Sequence, residues 1–439
     1  MSPQAAMLPR AAMLKRAEQP SADFDALLAR LVRRGESDLE RVEPAVREIL
    51  AAVRQDGDAA LRSAVARFEK REVDALLERD FGGEAALASL PQEVQAALKF
   101  AAARIRDFHE RQKEFLGGFE YSQGGVSLGT RVEPLGRVGV YAPGGKARYP
   151  SSVLMSAVIA QVAGVPEIIV ATPDPAPEVR AACHLAGVTA ILNAGGAQAI
   201  AALAYGTESV PRVDKIVGPG NIYVAAAKRL VFGEVDIDSI AGPSEILVVA
   251  DESADPRVIA ADLLSQAEHD EAAYPLLVTT ATALVDAVDR ELAEQLAALP
   301  RRAVAERSVL DHGFALVVRD RSQLARVATE LAVEHVSVQT RDARALADSI
   351  GRAGALFVGH HTPEAAGDYV AGPSHVLPTG GASRFASPLG IYDFVTRCSL
   401  ITYEADALEE QAEAITALAR CEGLEAHARA VEVRTKRPH

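Results

Sequence analysis

Four stretches of this 439-residue chain put imidazoles beside groups they could work with. The first is LLSQAEHDE, Leu263 to Glu271, which continues a helical pattern begun at DPRVIAAD. Gln266 and His269 stand there at i and i+3, on one helix face. An imidazole nitrogen and a side-chain oxygen both suit zinc, but two ligands do not close a four-coordinate site. Taken alone, with Ser265, Glu268, Asp270 and Glu271 beside it, this face reads better as solvated. The second is Glu334-His335, between the helical run LARVATELAV and the β-like run VSVQT. An acid and a base at an element boundary can be held in different directions, the histidine to take a proton and the glutamate to activate water. A charge pair at a loop end fits this stretch equally well. The third is the Gly/Pro-rich loop GDYVAGPSHVLPTGGASRF, which carries Asp368 and His375 and is too long and polar to be a mere connection. The fourth, CEGLEAHARAV, holds Glu422 and His427; alone it reads as a solvated helix, and only chain folding or a second subunit would bring it to a site. His109, His184, His312, His360, His361 and His439 read as surface or satisfied polar groups.

Three Gly-rich loops offer a second kind of chemistry. VGPGNIYVAAAKRL (217–230) is a strand end, a turn and a helix start, where Gly218 and Gly220 let backbone N–H groups approach an anion. Tyr223 stands where a dinucleotide fingerprint needs its third glycine, so a plain tight turn fits equally well. YAPGGKARYPSS (141–152) is not an ATP-binding P-loop, because Val140 and Ala147 occupy its glycine and hydroxyl positions. NAGGAQAIAALAYGT (193–207) opens a helix near Gln198. Tight turns explain any one of these loops; three on successive strands point to a dinucleotide crevice at the carboxyl edge of a parallel sheet.

The elements that must position these groups show in the hydrophobic period. FDALLARLV, VREILAAVRQDGDAALRSAVARFEK and PQEVQAALKFAAARIRDFHERQKEFL predict a mainly helical N-terminal region, 1–133. Short apolar runs then alternate with helical ones: RVGVYA, EIIVATP, VTAILN and VDKIVG, followed by SEILVVA, YPLLVTT, FALVVR and ALFVG. That alternation predicts βαβ units and an α/β fold: two tandem, incomplete Rossmann-like parallel-sheet domains at 134–241 and 242–380, then a helical C-terminal tail, 381–439. With 49% hydrophobic and 24% charged residues the composition is that of a soluble globular protein. Acidic residues outnumber basic ones 60 to 46, a net charge of −14, which argues against a nucleic-acid partner. Cys183, Cys398 and Cys421 are far apart, without CxxC spacing, and fit a reducing compartment. No long uncharged apolar run spans a membrane, and the first twenty residues, interrupted by Pro9 and Arg10, read as a frayed tail rather than a signal peptide. A cytoplasmic protein is expected.

Together, DKIVGPGNIYVAAAKR, AGPSEILV, DLLSQAEHD, GDYVAGPSHVLPTGGASRFASPLGIYDFV and EGLEAHARAVEVR resemble the histidinol dehydrogenases in order and spacing, over about residues 21–434. The resemblance implies zinc- and NAD-dependent oxidation of L-histidinol through the aldehyde to L-histidine, the last step of histidine biosynthesis. It implies one zinc per subunit, held by Gln266, His269, Asp368 and His427. Glu334 would activate water, and His335 would accept the proton. Ser244, His375 and Glu422 would join the metal ligands and the Glu334-His335 pair around substrate, with Tyr141, Gln198 and Asn221 around NAD on the 134–241 side. The implied assembly is a homodimer with shared active sites, the tail giving Glu422 and His427 to the partner. The chain departs from the family pattern at Val333, where proline is common, and at Ser374, where asparagine often precedes the histidine. Neither change removes a catalytic group. A related zinc/NAD dehydrogenase of another polyol or amino alcohol is the alternative; a metal-dependent hydrolase would leave the Gly-rich loops unexplained.

Overall fold

A computed structural model describes residues 12–34, 39–144 and 149–435. Lys146 and Ala147 of the second Gly-rich loop, and His439, lie outside the described residues.

Two six-stranded sheets organise the chain. The first runs Leu77–Glu78, Ala190–Leu192, Glu167–Ala171, Arg137–Tyr141, Lys215–Val217, Asp236–Ile237 across its width. The second runs Lys15–Glu18, Phe314–Val317, Tyr274–Thr279, Glu245–Ala250, His335–Gln339, Ala355–Val358. Without its outermost N-terminal strand, each is a parallel sheet in which the first strand in sequence lies centrally and the order reverses beside it, as in a Rossmann fold. The apolar runs set this arrangement. Strands covered by helices on both faces are buried throughout, as Glu245–Ala250 is, so they carry no polar alternation. The side-chain period of two sends Ile168 and Val170 into one core cluster and Ile169 and Ala171 into the cluster on the opposite face. The second sheet divides Ile246 and Val248 from Leu247 and Val249 in the same way. Each buried side chain of this size contributes roughly 1.5–3 kcal/mol relative to exposure.

The N-terminal region is more than helices. Lys15–Glu18 pairs in parallel with Phe314–Val317, and Leu14 donates its N–H to Asp289 at 3.0 Å, so this segment is an edge strand and not a frayed tail. Leu77–Glu78 adds an antiparallel edge to the first sheet. Phe119–Gln123 and Val126–Pro134 form a hairpin that pairs with Val395–Tyr403 of the tail. The tail therefore carries a strand before its helices, Ala405–Cys421 and Glu425–Thr435, which pack chiefly on each other. No helix among the described residues is long and apolar enough to cross a membrane.

Candidate active site

Glu245 and His335 open neighbouring strands, with Ile246 level with His335, so the Glu334-His335 pair sits at the amino edge of the second sheet. Glu334 and His335 are both buried. The His335 Nδ1 lies 3.0 Å from the Glu245 carbonyl oxygen, which can only accept, so Nδ1 carries the proton and Nε2 presents a lone pair in the neutral ring. Glu334 Oε2 accepts the Glu245 N–H at 2.9 Å, and the Glu334 N–H is donated to Glu245 Oε2 at 3.2 Å. Burial alone would push the His335 imidazole down; the carboxylates of Glu334, Glu364 and Asp368 outweigh it and push it up to about 10.

The helix Pro256–Ala267 runs back from the carboxyl edge of the sheet and so delivers Gln266 to the amino edge. Gln266 is buried, and its Nε2 donates to Glu364 Oε1 at 2.5 Å, while Ser265 Oγ donates to Glu364 Oε2 at 2.7 Å. This fixes the amide: the nitrogen is used by Glu364, and Oε1 is buried without a partner. His335 Nε2 is likewise buried and unpartnered, 3.9 Å from Glu364 and 3.8 Å from Asp368. Ligand atoms of His335, Glu364 and Asp368 lie within 4.8 Å of one another. Burial, and then the adjacent Glu364, push the Asp368 carboxyl up to about 8. His375 Nδ1 is bonded to the Asp368 carbonyl oxygen at 3.0 Å, and burial pushes its imidazole down to about 4.

Not every expected residue arrives. The helix ends at Ala267, so His269 sits in the following turn, exposed, its N–H on the Gln266 carbonyl at 3.0 Å, rather than on the helix face read from the sequence. Both tail residues are exposed, Glu422 in the turn between the two tail helices and His427 in the second of them. Ser244 is half-buried at the start of the central strand, its carbonyl accepting from the Tyr274 N–H at 2.9 Å. Three participants escape a reading of the sequence. Glu364 carried a signal, being i, i+4 from Asp368 in TPEAAGDY. Glu245 carried one too, as an acid opening an otherwise apolar strand. Arg34, which meets Glu245 through a two-pronged ion pair, carried none.

Tyr141, Gln198 and Asn221 line one cleft of about 1440 Å³ at the carboxyl edge of the first sheet, roofed by the helix Leu39–Ala64. The Tyr141 hydroxyl accepts the Gly196 N–H at 3.0 Å, and burial pushes its phenol up. Gln198 Nε2 donates to Glu69 at 3.2 Å, and Asn221 caps the helix Ile222–Val231 by accepting from Tyr223 and Val224. Gly218 must be glycine: its φ is +109°, and a Cβ would stand 2.2 Å from the Tyr141 carbonyl oxygen. Lys228 donates to the Gly218 carbonyl at 3.0 Å and pairs with Asp238, which takes the Gly218 N–H at 2.7 Å.

Two Rossmann-like sheets, a dinucleotide-sized cleft and a buried acid–base cluster define an α/β enzyme of the dehydrogenase type. The sequence model of the histidinol dehydrogenase family matches residues 32–435. The chain is 53% identical to histidinol dehydrogenase of Syntrophotalea carbinolica over 420 residues, 94% of this chain and 97% of that one. It is 48% identical to that of Bacillus subtilis, covering 93% and 96%. The crystal structure of histidinol dehydrogenase from Elizabethkingia anophelis superposes with a TM-score of 0.90 at 32% identity, covering 96% of this chain and 98% of that one. The chain belongs to the histidinol dehydrogenase family and is an oxidoreductase of histidine biosynthesis.

Proposed function

We propose that the chain oxidises L-histidinol through L-histidinal to L-histidine, reducing two NAD, with zinc at the site and a homodimer as the working unit. One observation carries this reading: Gln266 Oε1 and His335 Nε2 are buried polar atoms without hydrogen-bond partners, Gln266 held on Glu364 and His335 beside Glu364 and Asp368. Buried polar atoms are rarely left unpaired, and the Gln266 amide oxygen and the Asp368 carboxyl are oxygen donors that suit zinc once imidazoles join them. Its ligands would be Gln266, His269 and Asp368 with His427 of the partner subunit. Bound there, zinc would supply a fixed positive charge that suits the substrate's nitrogens.

The chain's own groups do the rest. His335, in its neutral form, takes the hydroxyl proton on Nε2, its ring oriented by Nδ1–H on Glu245; a metal's positive charge beside Glu364 and Asp368 would offset the carboxylates that otherwise keep the ring protonated. Glu334, anchored on the Glu245 N–H, takes a proton from the water that hydrates the aldehyde. His375, held on the Asp368 carbonyl and neutral in the working range, meets the substrate with Ser244 and with Glu422 of the partner subunit. The cleft lined by Tyr141, Gln198 and Asn221 is the proposed seat of NAD, whose nicotinamide is the hydride acceptor. On this reading residues 134–241 form the NAD domain, residues 242–380 the zinc and catalytic domain, and residues 381–439 the dimer-forming tail. Supporting the dimer, the tail helices pack chiefly on each other, and Phe119, Tyr121, Leu400 and Ile401 of the three-stranded sheet are exposed. Three free thiols suit a reducing cytoplasm.

The test is to incubate the zinc-loaded protein with L-histidinol and NAD. About two NADH per histidinol, lost on chelation and restored by zinc, is expected. One NADH with free aldehyde, or turnover of another amino alcohol only, overturns the reading.

A further inference from the structure

Glu245 touches the Glu334-His335 pair at three points. Its backbone N–H holds the Glu334 carboxylate at 2.9 Å, and its backbone carbonyl takes the His335 Nδ1 proton at 3.0 Å. Its own carboxylate accepts the Glu334 N–H at 3.2 Å and the Gly380 N–H at 2.9 Å. Arg34 fills the remaining positions with a fork, Nε on Oε1 at 2.8 Å and Nη2 on Oε2 at 2.7 Å. Both side chains are 1% exposed. The guanidinium is itself fixed, its Nη1 donating to the Leu31 carbonyl at 2.9 Å and the Leu331 carbonyl at 2.8 Å. Every acceptor site of the Glu245 carboxylate is used.

A buried ion pair is a poor way to gain stability, because an apolar pair of similar volume usually serves as well. What this pair provides is placement. The Glu245 main chain sets which His335 nitrogen is free and where the Glu334 carboxylate points, and the saturated side chain prevents that stretch of main chain from shifting. Arg34 ties this to the end of the helix Ala22–Val32, far away in sequence.

We propose that the buried Arg34–Glu245 pair is a positioning device for Glu334 and His335, through which the N-terminal segment governs the rate of oxidation without governing substrate or zinc binding. The inference rests on the proposed reaction and deepens it. The Arg34–Glu245 pair touches neither the Gln266–Glu364–Asp368 cluster nor the dinucleotide cleft by any hydrogen bond among the described residues.

The experiment compares Glu245→Gln, Arg34→Met and the double variant R34M/E245Q with the wild-type chain. Glu245→Gln keeps the shape but turns an amide toward the guanidinium. We expect kcat to fall roughly 10²-fold, the scale of a small misplacement of catalytic groups. KM for L-histidinol and bound zinc, measured by metal analysis, should stay near the wild-type values. Arg34→Met leaves a buried carboxylate uncompensated and should melt well below wild type. The double variant removes both charges, so its melting temperature should recover relative to Arg34→Met while its kcat stays low. Recovery of kcat in step with stability, or loss of KM and zinc together with kcat, would show a merely structural pair and overturn the inference. Wild-type protein that reduces no NAD with L-histidinol would overturn the functional reading and this inference with it. An active wild type with unaffected variants overturns this inference alone.

Discussion

At the residue scale, the proposed chemistry turns on which nitrogen of His335 faces the site. The Glu245 carbonyl binds Nδ1, leaving Nε2 near Glu364 and Asp368. His335→Asn should slow alcohol and aldehyde oxidation alike, by about 10²–10⁴-fold for loss of a general base. Glu334→Gln should slow mainly the aldehyde step. Rates measured separately with L-histidinol and L-histidinal check this, and equal losses in both steps for Glu334→Gln would remove the division of roles. Asp262 makes a pH prediction. Burial pushes its carboxyl up to about 6 from 3.8, although Ser337 and Gln339 donate to it. A folded-state pKa above the unfolded one stabilises at low pH, and that stabilisation is lost as pH rises through about 6. The contribution is about 3 kcal/mol at most. Asp262→Asn should therefore raise the melting temperature at pH 8 more than at pH 5; an equal change at both would show that the carboxyl titrates normally.

Elements decide what those residues can reach. A βαβ unit returns its helix to the amino edge of the sheet, and that return brings Gln266 level with His335. The short helix Glu364–Tyr369 then places Glu364 and Asp368 one turn apart, so one carboxylate holds the Gln266 amide while the other stands free of it. At the first sheet, the turn around Gly218 is locked from both sides by Lys228 and Asp238, which are nearly inaccessible. Lys228→Met should cost about 3–5 kcal/mol, because it strands a buried carboxylate. It should also raise KM for NAD more than KM for histidinol, since Asn221 and Tyr141 border the same turn. Unchanged KM for NAD in a folded variant would detach the turn from cofactor binding.

At the scale of the whole molecule, the tail is the part that leaves the body. Val395–Tyr403 extends the 119–134 hairpin, and Glu422 and His427 end up exposed beyond it. If they complete the partner's site, Glu334→Gln and His427→Ala variants are each nearly inactive, yet a mixture allowed to exchange subunits regains roughly a quarter of wild-type activity. Half of its dimers are then mixed, each with one intact site. No recovery after verified exchange would place His427 in its own subunit's site, and an active His427→Ala would place it in none.

The sequence by itself determined the two sheets, because wholly buried strands must be apolar runs and the helices between them must be amphipathic. Eight observed strands fall within RVGVYA, EIIVATP, SEILVVA and the other runs read from hydrophobic period, whereas Asp236–Ile237 and the three-stranded sheet escape that reading. It also determined the family, through several long motifs in fixed order. It did not reveal the edge strands Lys15–Glu18 and Leu77–Glu78, which are too short and polar to carry a period. It placed His269 on a helix that in fact stops at Ala267. Only the tertiary structure decided that Glu364 holds the Gln266 amide and that Arg34 and Glu245 meet. Hydrogen bonds between residues about a hundred to two hundred positions apart leave no local pattern, because each partner alone looks like any charged side chain. Their role is created by the packing that removes water from around both.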